Sequence, residues 1–415
     1  LDLIWVWQSN YIKYILGRKY KVSTKMHFLA EQVNTNEVLA ILRQMIRIRT
    51  LLPRGDELDM IKYILSLFPE NSLKVKIIEH GSNRASLVAT LPGLSNKEKI
   101  AMVGHMDTFS IIGEDEWLHP PFAADYVNGK VYGRGAANMK GGIAAMVTAM
   151  LVFTKNSMLP PCDLVLCLTA DGDNAALTGA RSIANSGYLK GTTRLIFGEP
   201  TANKIGIAQR GGVWFKIKVS GEASYACIPN VGTDALANFI EFYNKVKCYV
   251  CKEKQLHAYL GEPRCSITQI HGGIATNVLA PYAEGTMDIR LLPLQDNSEV
   301  IQFAHNTAKE MMGGNDSLKI EIDVLSSNST VAMPTNAHII KRFEEIVSLM
   351  GDKPQKTGLY YYTDACAIVP SLGVPFVFYG PGEDIYNIPN DESIALGSVI
   401  KAAKVYIKYI IGEDW

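Results

Sequence analysis

Between Ile100 and Ala149 the chain reads IAMVGHMDTFSIIGEDEWLHPPFAADYVNGKVYGRGAANMKGGIAAMVTA, and no other stretch narrows the possible folds so far. Its opening IAMVG is an unbroken apolar run, as expected of a strand buried on both faces. That strand delivers His105 and Asp107 at its carboxyl end. An aromatic and proline segment, WLHPPF, leads to a short strand, KVYGRG, and a glycine-rich turn then opens a helix of small residues. A His-x-Asp pair at a strand end suits a metal site, where the imidazole ligates and the carboxylate orients the ring or a catalytic partner. It equally suits a strand-end histidine hydrogen-bonded to a loop.

Around this block, apolar spacing predicts helices over 36–49, 56–68, 139–154 and 175–186. Strands are predicted over 73–79, 86–91, 163–170 and 193–198. Strands alternating with helices imply an α/β fold with a mostly parallel sheet flanked by helices, its sites at the strands' carboxyl ends. From about Lys204 the texture changes. A strand over 213–219, a helix over 234–252, strands over 265–270 and 282–291, a helix over 298–312 and a strand over 318–325 give the order of a small α+β two-layer sandwich. The expected division is therefore 26–204 with 326–415 for the larger domain and 205–325 for the insertion. A helix over 337–351 and a final strand over 375–379 complete the chain.

Forty-one basic residues balance forty-one acidic ones, so no net field favours nucleic acid or an anionic membrane. The seven cysteines are odd in number and scattered, as expected of reduced thiols in a cytoplasmic protein. Cys248 and Cys251 form a C-x-x-C with no second pair at zinc-finger spacing. In residues 1–25, LDLIWVW is too short to span a bilayer, and basic residues follow it rather than precede it, opposite to a signal peptide. Met26 reads as the natural start.

The block from Ile100, with FGEPT at 197–201, ATNVLAP at 275–281 and MDIRLLP at 287–293, resembles the signature of a zinc-dependent deacylase and exopeptidase family. That family includes acetylornithine deacetylase, succinyl-diaminopimelate desuccinylase, carboxypeptidase G and aminoacylase. The resemblance runs from about Asn34 to the end of the chain. It implies a metallo-exopeptidase-like domain with an inserted lid, often used for dimerisation, and two zinc ions sharing a bridging carboxylate. Residues 1–25 lie outside it.

Position by position, the resemblance makes His105 a metal ligand, Asp107 the carboxylate beside it and Glu199 the carboxylate serving the same ion. The bridging aspartate falls on Asn138. An amide carries no charge, and two divalent ions about 3.5 Å apart repel by roughly 19 kcal/mol at an effective dielectric of ~20. In TADGDN, where the family has Asp-Glu-Glu, Asp171 matches, the general base falls on Gly172 and the second-ion ligand on Asp173. The last histidine ligand falls on Asn387, preceded by Tyr386, and none of the eight histidines lies near. Tyr225 stands where the lid histidine polarises the substrate carbonyl; a phenol can donate to an oxyanion. Cys366 replaces the arginine that follows Thr-Asp-Ala. Asn277 and Arg290 match the residues that hold the substrate's α-carboxylate, for which the planar fork of Arg is suited. Thr363, Asn138 and Asn387 join them as candidate substrate contacts.

These substitutions imply a protein that binds an amino-acid-derived small molecule bearing an α-carboxylate and has lost ordinary dizinc amide hydrolysis. It would hold at most one zinc or other divalent cation, or none. It acts either as a binding protein or as an enzyme of cyclisation or condensation, reactions that positioning alone can promote, with Asp107, Asp173 and Tyr225 as the catalytic candidates. The alternative is a mononuclear zinc deacylase of N-acyl amino acids, the ion held by His105, Glu199 and Asp173, with Asp107 or Asp173 doubling as base. Partners in either case are an amino-acid-like ligand and a second copy through the lid, not nucleic acid or membrane.

Overall fold

The computed structural model describes residues 28–111, 113–174, 176–252, 256–383 and 390–412. The extension over 1–25 lies outside these residues, as do Tyr386 and Asn387. The chain divides into two compact units. One runs to Ile207 and includes Met333–Lys356 and the chain from Ile368; the other comprises Ala208–Ala332 and Thr357–Ala367.

In the first unit, helix α1 (Thr35–Arg47) has its N-terminus capped by the Asn34 side chain accepting from Asn36 N and Glu37 N. Such a cap contributes about 1 kcal/mol. Val38, Ile41, Leu42, Met45 and Ile46 form its buried stripe. Helix α2 (Glu57–Ser66) follows, then strands β1 (Lys74–Gly81), β2 (Arg84–Leu91), β3 (Ser95–His105), β4 (Tyr126–Val127) and β5 (Lys130–Tyr132). Next come α3 (Gly141–Lys155), β6 (Cys162–Thr169), α4 (Thr178–Ser186), β7 (Arg194–Phe197) and β8 (Ile205–Gln209). Every residue of α3 from Gly141 to Phe153 is buried, so it is a core helix rather than an amphipathic one. With the turn before it, it is the one helix among the described residues long and apolar enough to cross a membrane, and 94% of that window is buried.

In the second unit, β9 (Gly211–Ser220), α5 (Ala235–Cys251), β10 (Arg264–Gly272), β11 (Tyr282–Leu291), α6 (Asn297–Met312) and β12 (Lys319–Asn328) precede the short β13 (Val331–Ala332). Its antiparallel sheet has the order β10-β11-β9-β12. Alternate residues such as Phe215, Ile217, Met287 and Ile289 form a core with Phe239 and Phe242 of α5. Cys248 and Cys251 are free thiols on α5.

The chain then forms α7 (His338–Leu349), β14 (Lys356–Leu359), α8 (Ala365–Leu372), β15 (Phe376–Phe378), β16 (Ser393–Ala395) and α9 (Leu396–Gly412). The large sheet runs β1-β2-β6-β3-β7-β15-β8. Within it β6, β3, β7 and β15 are mutually parallel, which fixes their carboxyl ends at one edge. The mostly parallel α/β fold expected from the sequence is present.

Three expectations need correction. The helix expected from Met139 starts at Gly141, because Asn138 (φ −113°, ψ 96°) and Met139 (φ −133°, ψ 33°) are non-helical. β15 is not the last element, since β16 and the 17-residue α9 follow it. The apolar density of α9 hides its period, although Lys401, Lys404 and Lys408 recur at helical spacing. Strand β8 was also unforeseen; all five of its residues are buried, so its sequence shows no alternation.

Candidate functional site

The parallel strands end where the sequence places its chemistry. His105 closes β3 opposite Thr169 of β6, the loop Asp171–Asn174 leaves β6, and Glu199 lies just past β7. The turn bearing Asn138 runs into α3, whose second residue packs backbone to backbone on the end of β7. A Cβ on Gly142 would stand 2.1 Å from Gly198 O.

His105, Asp107 and Asp173 come together, with one ligand atom from each lying within 4.8 Å of the others. His105 and Asp107 are buried, at 4% and 0% exposure. Glu199, 2% exposed, is not part of this three-donor group. Asn138 stands inside it. Its Nδ2 donates to Asp173 Oδ1 (3.0 Å), and its Oδ1 lies 3.1 Å from His105 Nε2. His105 Nδ1 is 3.1 Å from the Asp107 carbonyl oxygen. Nε2 can hydrogen-bond to the Asn138 oxygen only while it carries a proton, whereas a metal ligand must offer a lone pair. The Asn138 contact and ligation through Nε2 therefore exclude each other.

Asp107 is also committed. Its Oδ1 accepts from Gly172 N (2.7 Å) and its Oδ2 from Asp173 N (2.9 Å), so acting as a base would mean giving up a bond to the loop. Burial pushes the Asp173 carboxyl up to about 7, against the opposing pull of His105. Its Oδ2 is buried with no hydrogen-bond partner.

Two buried carboxylates outside the cluster hold it in place. Glu57, 0% exposed, accepts from Arg84 Nη2 (2.8 Å) and Nε (3.3 Å), and the same Nη2 reaches Asp171 Oδ1 (3.1 Å). Asp171, at φ 68°, also accepts from Asn174 Nδ2 and from the Thr178 hydroxyl (2.7 Å). These bonds hold a non-glycine residue in the left-handed region that such residues rarely adopt. Glu392 accepts from Gly135 N (2.7 Å), Ala137 N (2.9 Å), Asn138 N (3.1 Å) and Arg134 Nη1 (3.1 Å). It fixes the turn that presents Asn138. Beneath it the fully buried Lys140 donates to Ile48 O (2.8 Å), and burial lowers its ammonium to about 7. The sequence reading assigned none of Glu57, Arg84, Lys140 or Glu392. Arg84, the one charged residue of β2, was the signal available.

At the two positions for which the resemblance implies a bridging carboxylate and a general base, the chain offers a neutral amide, hydrogen-bonded on both sides, and a glycine, and neither supplies an anion to a pair of cations. For a single cation, His105, Asp107 and Asp173 supply a donor set once the Asn138 contacts open.

The second unit sets Tyr225 beside Asn277. Tyr225 forms a bridge with Val278, and Ala226 N donates to Asn277 O (2.9 Å). Both side chains are exposed. Arg290 donates from Nε and Nη2 to Asp288 (2.7 and 2.9 Å) and lies over the Tyr362 and Trp214 rings, so Nη1 is what it has left for a ligand. The Thr363 hydroxyl donates to Gln209 Oε1 (2.7 Å), an internal contact. Asn387, expected as a substrate contact, falls outside the described residues.

Residues 101–412 match the profile of peptidase family M20/M25/M40. A probable succinyl-diaminopimelate desuccinylase of Staphylococcus aureus is 27% identical over 404 residues, covering 90% of this chain and 95% of that protein. Among solved structures, a tripeptidase from Staphylococcus aureus superposes with a TM-score of 0.73 at 18% identity, covering 92% of this chain and all of its own. An M20-family metallo-carboxypeptidase from Sulfolobus solfataricus also gives 0.73 at 18% identity, with 90% and 98% covered.

Proposed function

We infer what this chain does from one premise: it belongs to peptidase family M20/M25/M40. Within that metallo-hydrolase family it is a member that binds an amino-acid-derived small molecule bearing a carboxylate and no longer performs ordinary two-cation amide hydrolysis. The observation that carries this reading is Asn138, a neutral amide joined to His105 and Asp173 where the family's bridging carboxylate belongs. The ligand's carboxylate meets Arg290 and Asn277, and Tyr225 donates to its carbonyl. Chemistry on such a ligand would be cyclisation or condensation of an activated group, promoted by positioning. The sandwich unit acts as lid and as the contact with a second copy, in a cytoplasmic protein.

Metal analysis of chain purified without chelator should give well under two zinc ions per chain; about two would overturn the reading. Arg290→Ala should weaken calorimetric binding of an N-acyl amino acid by about tenfold or more, as expected for loss of a charge-assisted contact. Unchanged affinity would sink the carboxylate assignment.

One observation favours a second reading, a deacylase with a single cation. Asp173 Oδ2 is buried with no hydrogen-bond partner, in reach of His105 and Asp107. Turnover of N-acetyl or N-succinyl amino acids with added zinc or cobalt, abolished by His105→Ala, would establish it.

A further inference from the structure

Gly172 does more than lack a carboxylate. A Cβ at this position would lie 2.2 Å from His105 Cβ and 2.5 Å from its Cγ, against an ordinary carbon–carbon contact of about 3.5–4.0 Å. Neither atom is the far end of a flexible side chain. His105 belongs to β3, and its ring is engaged at both nitrogens. The loop therefore passes His105 at a distance open only to glycine. At that distance Gly172 N and Asp173 N each reach one oxygen of Asp107, and Asp173 Oδ1 reaches Asn138 Nδ2.

We infer that Gly172 is a positioning residue that closes the cluster: without a side chain at 172 the loop settles on His105 and Asp107 and brings Asp173 onto the Asn138 amide. The inference rests on the reading that two-cation hydrolysis is absent, and it adds a cause. Loss of the base and loss of room for cations are one event, because any side chain at 172 must lift the loop. Restoring a carboxylate at residue 138 then leaves the donors still covered.

Zinc titration by calorimetry compares the unaltered chain, Asn138→Asp, Gly172→Ala and the double variant, since residues that share a structural cause give non-additive effects. The double variant should bind zinc at least about tenfold more tightly than Asn138→Asp alone, and Gly172→Ala should lower the unfolding midpoint. Equal affinity in Asn138→Asp and the double variant overturns the closure. That result leaves the functional reading intact, because the zinc content of the unaltered chain tests it separately. Should Gly172→Ala not fold, hydrogen exchange on the unaltered chain decides. The amides of Gly172 and Asp173 should exchange slowly, as amides held in stable hydrogen bonds do; exchange at the rate of exposed loop amides overturns the closure.

Discussion

Arg84→Met is expected to destabilise the first unit by about 3–5 kcal/mol, the usual consequence of removing one member of a buried ion pair. Glu57 has no exposed side-chain surface, and Arg84 is its cation. The methionine fills much of the volume but strands the carboxylate. Asp171 loses a partner in the same step, so the loop carrying Gly172 and Asp173 loosens as well. The deficit depends on pH in a defined direction. Burial already raises the Glu57 carboxyl, and Arg84 opposes that rise. Without Arg84 the folded carboxyl moves further above its unfolded value. The folded variant then binds the extra proton in the window between the two values, and the penalty grows as pH rises through it. Urea denaturation at about pH 8 and about pH 5 should show the larger loss at the higher pH. A loss below about 1 kcal/mol at both would mean the pair holds nothing that solvent cannot replace.

Glu392→Ala should cost a similar amount, about 3–5 kcal/mol, for a different reason. Its carboxylate receives three backbone N–H groups from a single turn and one N–H from Arg134. A buried donor left unpaired costs about 1–3 kcal/mol, and alanine removes both acceptor oxygens together. Glu392→Gln keeps one acceptor oxygen and should fall between. Because the turn presents Asn138, the loss should also appear as a changed environment of the His105 ring in nuclear magnetic resonance spectra. Equal stability of Glu392→Ala and the unaltered chain would show that the turn holds its shape without the carboxylate.

What could be read in advance follows from how far apart the interacting residues lie in the chain. The parallel sheet was legible from apolar runs visible locally, whereas the ligand set came from the resemblance as His105, Glu199 and Asp173, of which Glu199 lies outside the three-donor group with Asp107. The pair Asp288 and Arg290 was legible in principle, since residues two apart on a strand share a face. The supports were not. Glu392 reaches a turn 257 positions earlier and Arg84 a loop 87 positions later, and no periodicity announces a buried carboxylate serving a distant backbone. The committed state of Asp107 was hidden for the same reason, since it depends on how closely the Gly172 backbone approaches β3.

The contact between Gly142 and Gly198 sets a rule for anyone who wishes to re-equip this scaffold. Two main chains meet there with no side chain to trim or swap, so the spacing between the Asn138 turn and the end of β7 works like a machined joint. New chemistry has to be installed by exchanging the tools mounted around that joint, because the joint itself offers no adjustment.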